Sequence, residues 1–229
     1  MKLSVAMPYW NRASELECSL ASYRKVYPHH DIEFCICDDG SVPPLLMPGA
    51  KVTYLPQKSV AKCPVTPINV AVRNCTNDII VLTNPEIEHR EPVLDQMLSA
   101  WTGPDDYVMA GCRDTVRGEW YAGAGRSMKG CLAPPEGWYH FCVLFHCSLF
   151  ERVGGFDEDY REGHAFDDND FLFRLWALGD VNYKYVPGVV WHNRRLMQRS
   201  IWKGPQLLRN EKLLRQKWGH LGKEFVRAA

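Results

Sequence analysis

Short runs rich in β-branched and apolar residues alternate along the chain with stretches whose apolar positions recur at helical spacing. LSVAM (3–7), IEFCIC (32–37), KVTYL (51–55) and DIIVLT (78–83) read as strands, and helical patterns fall over 13–26, 68–75 and 92–101. Strands separated by helices predict a mostly parallel sheet with helices on its faces, an α/β fold. After residue 106 the pattern becomes less regular. A strand YVMAG (107–111) leads into a Gly-rich, aromatic stretch (111–137) and an apolar run ending at Phe150. A helix over 171–178, strands over 183–186 and 189–192, and a terminal helix over 206–218 follow. No long linker or internal repeat divides the chain, so one domain is expected over 1–193, with a regular half (1–106) and an irregular half (107–193). Residues 194–229 form a separate tail.

Composition narrows this picture. The 229 residues carry 27 Lys and Arg against 27 Asp and Glu, with 46% hydrophobic and 24% charged. That profile excludes disorder, collagen and coiled coil as the main architecture, and it lacks the basic surplus usual in proteins that bind nucleic acid. The neutrality is an average, however. Residues 194–229 hold ten basic and two acidic residues, leaving 17 against 25 upstream, so a net −8 body carries a net +8 tail. Nine cysteines, without a CxxC pair and several of them inside apolar runs, read as small buried hydrophobes in a reducing compartment. The apolar run near the N-terminus is too short for a signal h-region, and no stretch approaches the ~20 apolar residues that span a bilayer. A cytoplasmic location is the expectation.

Ligands of open α/β sheets bind beyond the carboxyl ends of the strands, which singles out the polar residues that follow apolar runs. Three segments qualify: MPYWNR after the first strand, CDDGS after the second and LTNPEIEH after the fourth. In DDGS a carboxylate can accept from a base N–H or ribose hydroxyls, or simply close an Asx turn. Further on, Asp167, Asp168 and Asp170 precede the helical pattern of Phe171, Leu172, Leu175 and Trp176, more acid than capping requires. An EF-hand over 157–168 is set aside, because its glycine falls at loop position 7 instead of 6.

PYWNR, DDGS, the acid after the fourth strand, GGFDE, DDND and the later WHN occur in this order, and together they resemble the family 2 glycosyltransferases of the GT-A fold. The resemblance covers residues 3–193, with a weaker echo at NEKLLRQKWG. It implies that Pro8, Tyr9, Trp10, Arg12 and Asp39 surround the base of a nucleotide, with uracil expected, and that Arg73 approaches the same nucleotide. The family's Asp-x-Asp metal motif is altered here: Asn84 stands at the first acid and Glu86 at the second. Glu86 and the late His192 are then the metal ligands, with Mn²⁺ or Mg²⁺ the expected ion, while Asn84 bonds ribose. Glu88 and His89 are second-choice ligands.

The same resemblance makes Asp168 the general base that deprotonates an acceptor hydroxyl, with Asp167 contacting sugar hydroxyls and inversion at C1 as the outcome. Asp170 is left to brace the helix. Trp120, Trp138, Tyr139 and His164 are expected on the acceptor side, the glycines between Gly118 and Gly130 giving that stretch the mobility of a lid. The implied partners are a UDP-sugar and a saccharide or glycoconjugate acceptor. The tail packs on the domain, meets donor phosphates or touches an anionic membrane. Two rival functions remain open, a retaining glycosyltransferase and a nucleotide-sugar-binding module without transfer. A sugar nucleotidyltransferase would need a Gly-rich loop after strand one, and MPYWNR contains no glycine.

Overall fold

The computed structural model describes residues 2–56, 63–116, 118, 120–122, 141–193 and 204–219. Strand β1 (Lys2–Tyr9) is followed by helix α1 (Ala13–Val26), strands β2 (Asp31–Asp38) and β3 (Lys51–Tyr54), and helix α2 (Val65–Arg73). Strands β4 (Ile79–Thr83) and β5 (Ile87–His89), helix α3 (Val93–Ala100) and strands β6 (Asp106–Asp114) and β7 (Trp120–Ala122) come next. Strand β8 (Cys142–His146), helix α4 (Cys147–Val153), a 3₁₀ turn (Glu158–Glu162), helix α5 (Asp167–Ala177), strand β9 (Asn182–His192) and helix α6 (Pro205–Trp218) complete the order.

The strands form one mixed sheet in the order β3-β2-β1-β4-β8-β6-β9-β5, with β7 paired to β6. β3, β2, β1 and β4 run parallel, and β8 lies antiparallel between β4 and β6. β9 runs parallel to β6, and β5 closes the far edge antiparallel to β9. The α/β class expected from the alternation is what the chain adopts.

Each central strand is buried on both faces, so its alternate residues feed two cores. Leu3, Val5 and Met7 of β1, Val81 of β4 and Leu144 of β8 pack with Leu16, Leu20 and Tyr23 of α1 and with α3. Ala6, Ile80, Leu82, Val143 and Phe145 face the opposite layer of α2, α4, α5 and α6.

Three sequence expectations change. The two strands expected over 183–186 and 189–192 are one strand, because the extra residues Pro187 and Gly188 are absorbed by a register shift opposite Ala110 and Gly111. A bulge is where a sheet tolerates proline's missing N–H. Ile87–His89, within the segment singled out after the fourth strand, is itself a short edge strand. The third concerns His89, a second-choice ligand, which is buried with its ring 4.3 Å from Tyr23 and its Nδ1 2.8 Å from the Tyr27 hydroxyl. Burial alone pushes its pKa down to about 3, so it is a neutral core imidazole.

Packing is the role the described part of the tail displays. Leu214 of α6 is fully buried, and Trp218 stacks on Phe173 at 5.3 Å while its indole N–H donates to Asp170 at 2.9 Å. Arg174 also donates to Asp170 at 2.7 Å, so this acid ties α5 to α6. Among the described residues no helix is long and apolar enough to cross a membrane.

Candidate active site

The parallel strands end at one edge, where the turns after β1 and β2 interlock. The Asp39 N–H donates to the Tyr9 carbonyl at 2.8 Å, extending the ladder by one bond. Asn11, with φ of 47°, donates its N–H to Ser41 Oγ at 2.9 Å, and its side-chain oxygen accepts from the Val42 N–H at 3.1 Å. Pro8 and Tyr9 are buried, whereas Trp10 is 42% exposed on this edge. The two acids of DDGS divide the work. Asp38 accepts from the Ser41 and Leu45 N–H groups at 2.9 and 2.7 Å, which closes the turn, and Asp39, also buried, follows it at the strand end.

Arg73 does not join this group. α2 runs back against the parallel strands, so its C-terminal end lies at their amino edge. There the Asn74 carbonyl accepts from Lys51 at 2.7 Å, and Arg73 is exposed. The helical pattern showed that Arg73 is on a helix, but only the direction of that helix decides which edge it reaches.

Arg12, Glu86 and His192 meet beyond β4. Pairing of β5 with β9 sets Ile87 opposite His192, and the Asn193 N–H donates to the Glu86 carbonyl at 3.0 Å. This brings His192 Nε2 to 3.2 Å from Glu86 Oε1, while Arg12 reaches Oε2 at 2.7 Å. Burial by itself would raise the Glu86 pKa, but His192 and Arg12 outweigh it and hold the carboxyl down at about 2. The carboxylate oxygen and imidazole nitrogen form a mixed donor pair of the kind that could hold Mn²⁺ or Mg²⁺. Asn84 lies in the turn just before, its carbonyl accepting from the Ile87 N–H at 3.1 Å. Among the described residues, the group of three close His, Cys, Asp or Glu ligands is elsewhere, at Asp78, His146 and Cys147 by the amino end of β4.

The acidic cluster opens α5. Asp167 is buried and accepts from the Cys63 thiol at 3.0 Å, beside the start of α2 and therefore on the carboxyl side of the sheet. Asp168 keeps part of its surface open, yet protein crowding around the carboxyl removes enough water to push its pKa up to about 7. The turn into α5 passes through Ala165 and Phe166, both in the left-handed region with φ of 59° and 67°, conformations that are costly for residues other than glycine. Asn210 of α6 is fully buried and donates to the Tyr160 and Ala165 carbonyls, at 2.9 Å each. Neither Asn210 nor Cys63 carried a local signal, since each becomes informative only through a partner at least 45 residues away.

Of the residues expected on an acceptor side, His164 sits in the turn before Asp167, its N–H donating to the Gln206 carbonyl at 3.1 Å. Trp120 is placed by backbone only, in β7 opposite Arg113. Trp138 and Tyr139, and most of the glycine-rich stretch expected to act as a lid, lie outside the described residues. A cleft of about 450 Å³, lined by Glu88, Arg90, Thr115, Val116 and Asn193, opens next to the Glu86–His192 pair. Glu88, the other second-choice ligand, faces this cleft.

The sequence model for "Glycosyl transferase family 2" matches residues 4–152. Solved structures that share the fold include the following three. TarS 1–349 of S. aureus in complex with UDP-GlcNAc is 17% identical with a TM-score of 0.70, covering 95% of this chain and 66% of that one. The mannosyltransferase PcManGT of Pyrobaculum calidifontis in complex with GDP-Man and Mn²⁺ is 18% identical with a TM-score of 0.64, covering 99% and 68%. TarS 1–349 in complex with UDP gives 17% identity and a TM-score of 0.63, and there the chain spans 60% of its relative. No curated protein matches the chain in sequence.

Proposed function

The chain belongs to the family 2 glycosyltransferases, and from that premise we propose that it transfers a sugar from a UDP-sugar to an acceptor hydroxyl with inversion at the anomeric carbon. The observation that carries this reading is the contrast between two acids on one side of the sheet. Glu86 is held ionised with a pKa of about 2, and Asp168 is raised to about 7. Two carboxyls driven apart in this way suit two different tasks.

Trp10 and Asp39 receive the nucleoside, the indole offering a ring face and the carboxylate an acceptor for ring or ribose hydrogens. Asn84 bonds ribose. Glu86 and His192 would hold Mn²⁺ or Mg²⁺, an ion that neutralises negative charge growing on a diphosphate leaving group. Asp168 takes the acceptor proton as the hydroxyl oxygen bonds to C1 and the C1–O bond to the diphosphate breaks, releasing UDP. A base with pKa near 7 is half ionised at neutral pH and still basic enough to accept that proton. Asp167, which accepts from Cys63, contacts sugar hydroxyls. The acceptor, a saccharide or glycoconjugate, enters by the cleft of Glu88, Arg90 and Asn193.

A thermal-shift screen of nucleotide-sugars with and without Mn²⁺, followed by NMR of the product anomer, tests the proposal. A UDP-sugar that stabilises the protein and yields an inverted product supports it. A retained anomer moves the chain to the retaining class, and donor binding without product leaves a binding module.

A further inference from the structure

Both oxygens of Glu86 are engaged within the protein, one by His192 at 3.2 Å and the other by Arg12 at 2.7 Å. The three partners differ in access. The Glu86 and His192 side chains are 8% and 5% exposed, whereas Arg12 is 39% exposed at the start of α1. Arg12 is therefore the long member of the group and the one that reaches solvent. A buried carboxylate deprived of its counter-charge is strongly destabilising, so something positive must remain at Glu86. A divalent cation held by Glu86 and His192 would come close to the Arg12 guanidinium on the same carboxylate, and two cations around one carboxylate repel each other.

Building on the donor site proposed above, we infer that Arg12 is an exchangeable internal counter-ion. It holds Glu86 while no divalent ion is bound, and it yields that position when the ion enters together with a nucleoside diphosphate. The exchange has a place to end. Arg12 follows Tyr9, Trp10 and Asn11 in the same turn, and a guanidinium released from Glu86 can grip diphosphate oxygens with two parallel N–H bonds. Metal alone must expel Arg12 without giving it a new anion, so it binds weakly. Metal with nucleotide replaces one ion pair by several, so it binds tightly. By linkage the nucleotide gains from the metal by the same factor. Arg12 thus makes the site discriminate against divalent ions that arrive without nucleotide.

The test is a Mn²⁺ titration, following the EPR signal of the free ion, for the wild type, Arg12→Met, Arg12→Lys and Glu86→Gln, each with and without UDP. The wild type is expected to bind Mn²⁺ about tenfold or more tightly with UDP, within the usual range of coupling between sites. Arg12→Met is expected to bind Mn²⁺ alone about tenfold more tightly than wild type and to lose most of the UDP effect, in line with removal of that coupling. Arg12→Lys retains the weak binding of metal alone, and Glu86→Gln weakens Mn²⁺ throughout. Unchanged or weaker Mn²⁺ binding by Arg12→Met without UDP overturns the inference, as does absence of Mn²⁺ binding in every protein. Failure of UDP to bind any of them refutes the donor assignment separately, because the metal-only comparison still decides the role of Arg12.

Discussion

Glu86 and Asp168 are carboxyls that both lose water on the same side of one sheet, and they end at opposite extremes of protonation. Burial acts on each in the same direction, upward. At Glu86 the guanidinium of Arg12 and the imidazole of His192 reverse it, giving about 2, whereas at Asp168 desolvation prevails and gives about 7. The lesson is that depth does not set the chemistry of a buried acid. The charge brought alongside does. Glu86 receives Arg12 from the β1–α1 turn and His192 from β9. The acidic cluster receives a thiol from Cys63, ahead of α2, and a turn held by Asn210 of α6, and neither brings a positive charge to Asp168.

The comparison breaks most completely at Asp168. Asp168→Asn retains the shape of the side chain but cannot accept the proton, so transfer is expected to fall about 10²- to 10⁴-fold, while UDP binding by calorimetry stays close to wild type. Equal loss of binding and turnover would remove the distinction between the two acids. A smaller effect follows from titration. The wild-type rate at saturating donor should rise with pH to a midpoint near the value of about 7 at Asp168, with no second step contributed by Glu86 above pH 5. Stability should move the other way. The folded pKa of Asp168 lies above the unfolded value of about 3.9, so the folded state holds more protons between those values and stability falls as pH rises through that window. Asp168→Asn escapes this loss, so its melting temperature should exceed wild type at pH 8, with the gap closing by pH 4.

The mildest break is remote. Asn210→Ala leaves the Tyr160 and Ala165 carbonyls without their α6 donor, which costs about 2 kcal/mol and lowers the melting temperature by about 4–8 °C. If Asn210 positions the base, kcat falls while KM for the donor holds. Gly163→Ala attacks the same contact from the other side, since a Cβ there would lie 1.9 Å from Asn210 Oδ1. Matching kinetic patterns in the two variants would sharpen the contrast between an acid held by packing and an acid held by charge. A donor KM that rises with kcat unchanged would count against it.

Much of this was legible in the order of residues. Period-two and helical spacing placed β1, α1, β2, β3 and β4, because those elements are amphipathic or continuously apolar within themselves. PYWNR, DDGS, NPE, DDND and WHN marked the strand ends and helix starts that make up the candidate site. What was not legible is relational. DDGS offers two acids, and nothing local says that Asp38 is consumed by the backbone of Ser41 and Leu45. Likewise, nothing in PINVAVRN tells which end of α2 faces the site, which is why Arg73 was expected where it is not. His89 looks like a ligand next to Glu86 until strand alternation turns it into the aromatic core beside Tyr23 and Tyr27.

The sequence by itself determined the class of fold and the residue types that gather at the carboxyl edge of the parallel strands, because these follow from spacing along one chain. Tertiary structure alone decided that Arg12 and His192 share Glu86, that Asp168 is desolvated and that the basic tail ends in a helix packed against α5. Each of these depends on the distance between residues far apart in the chain. Charge pairing and loss of water, which set what a carboxyl can do, act through space and leave no local mark in the order of residues.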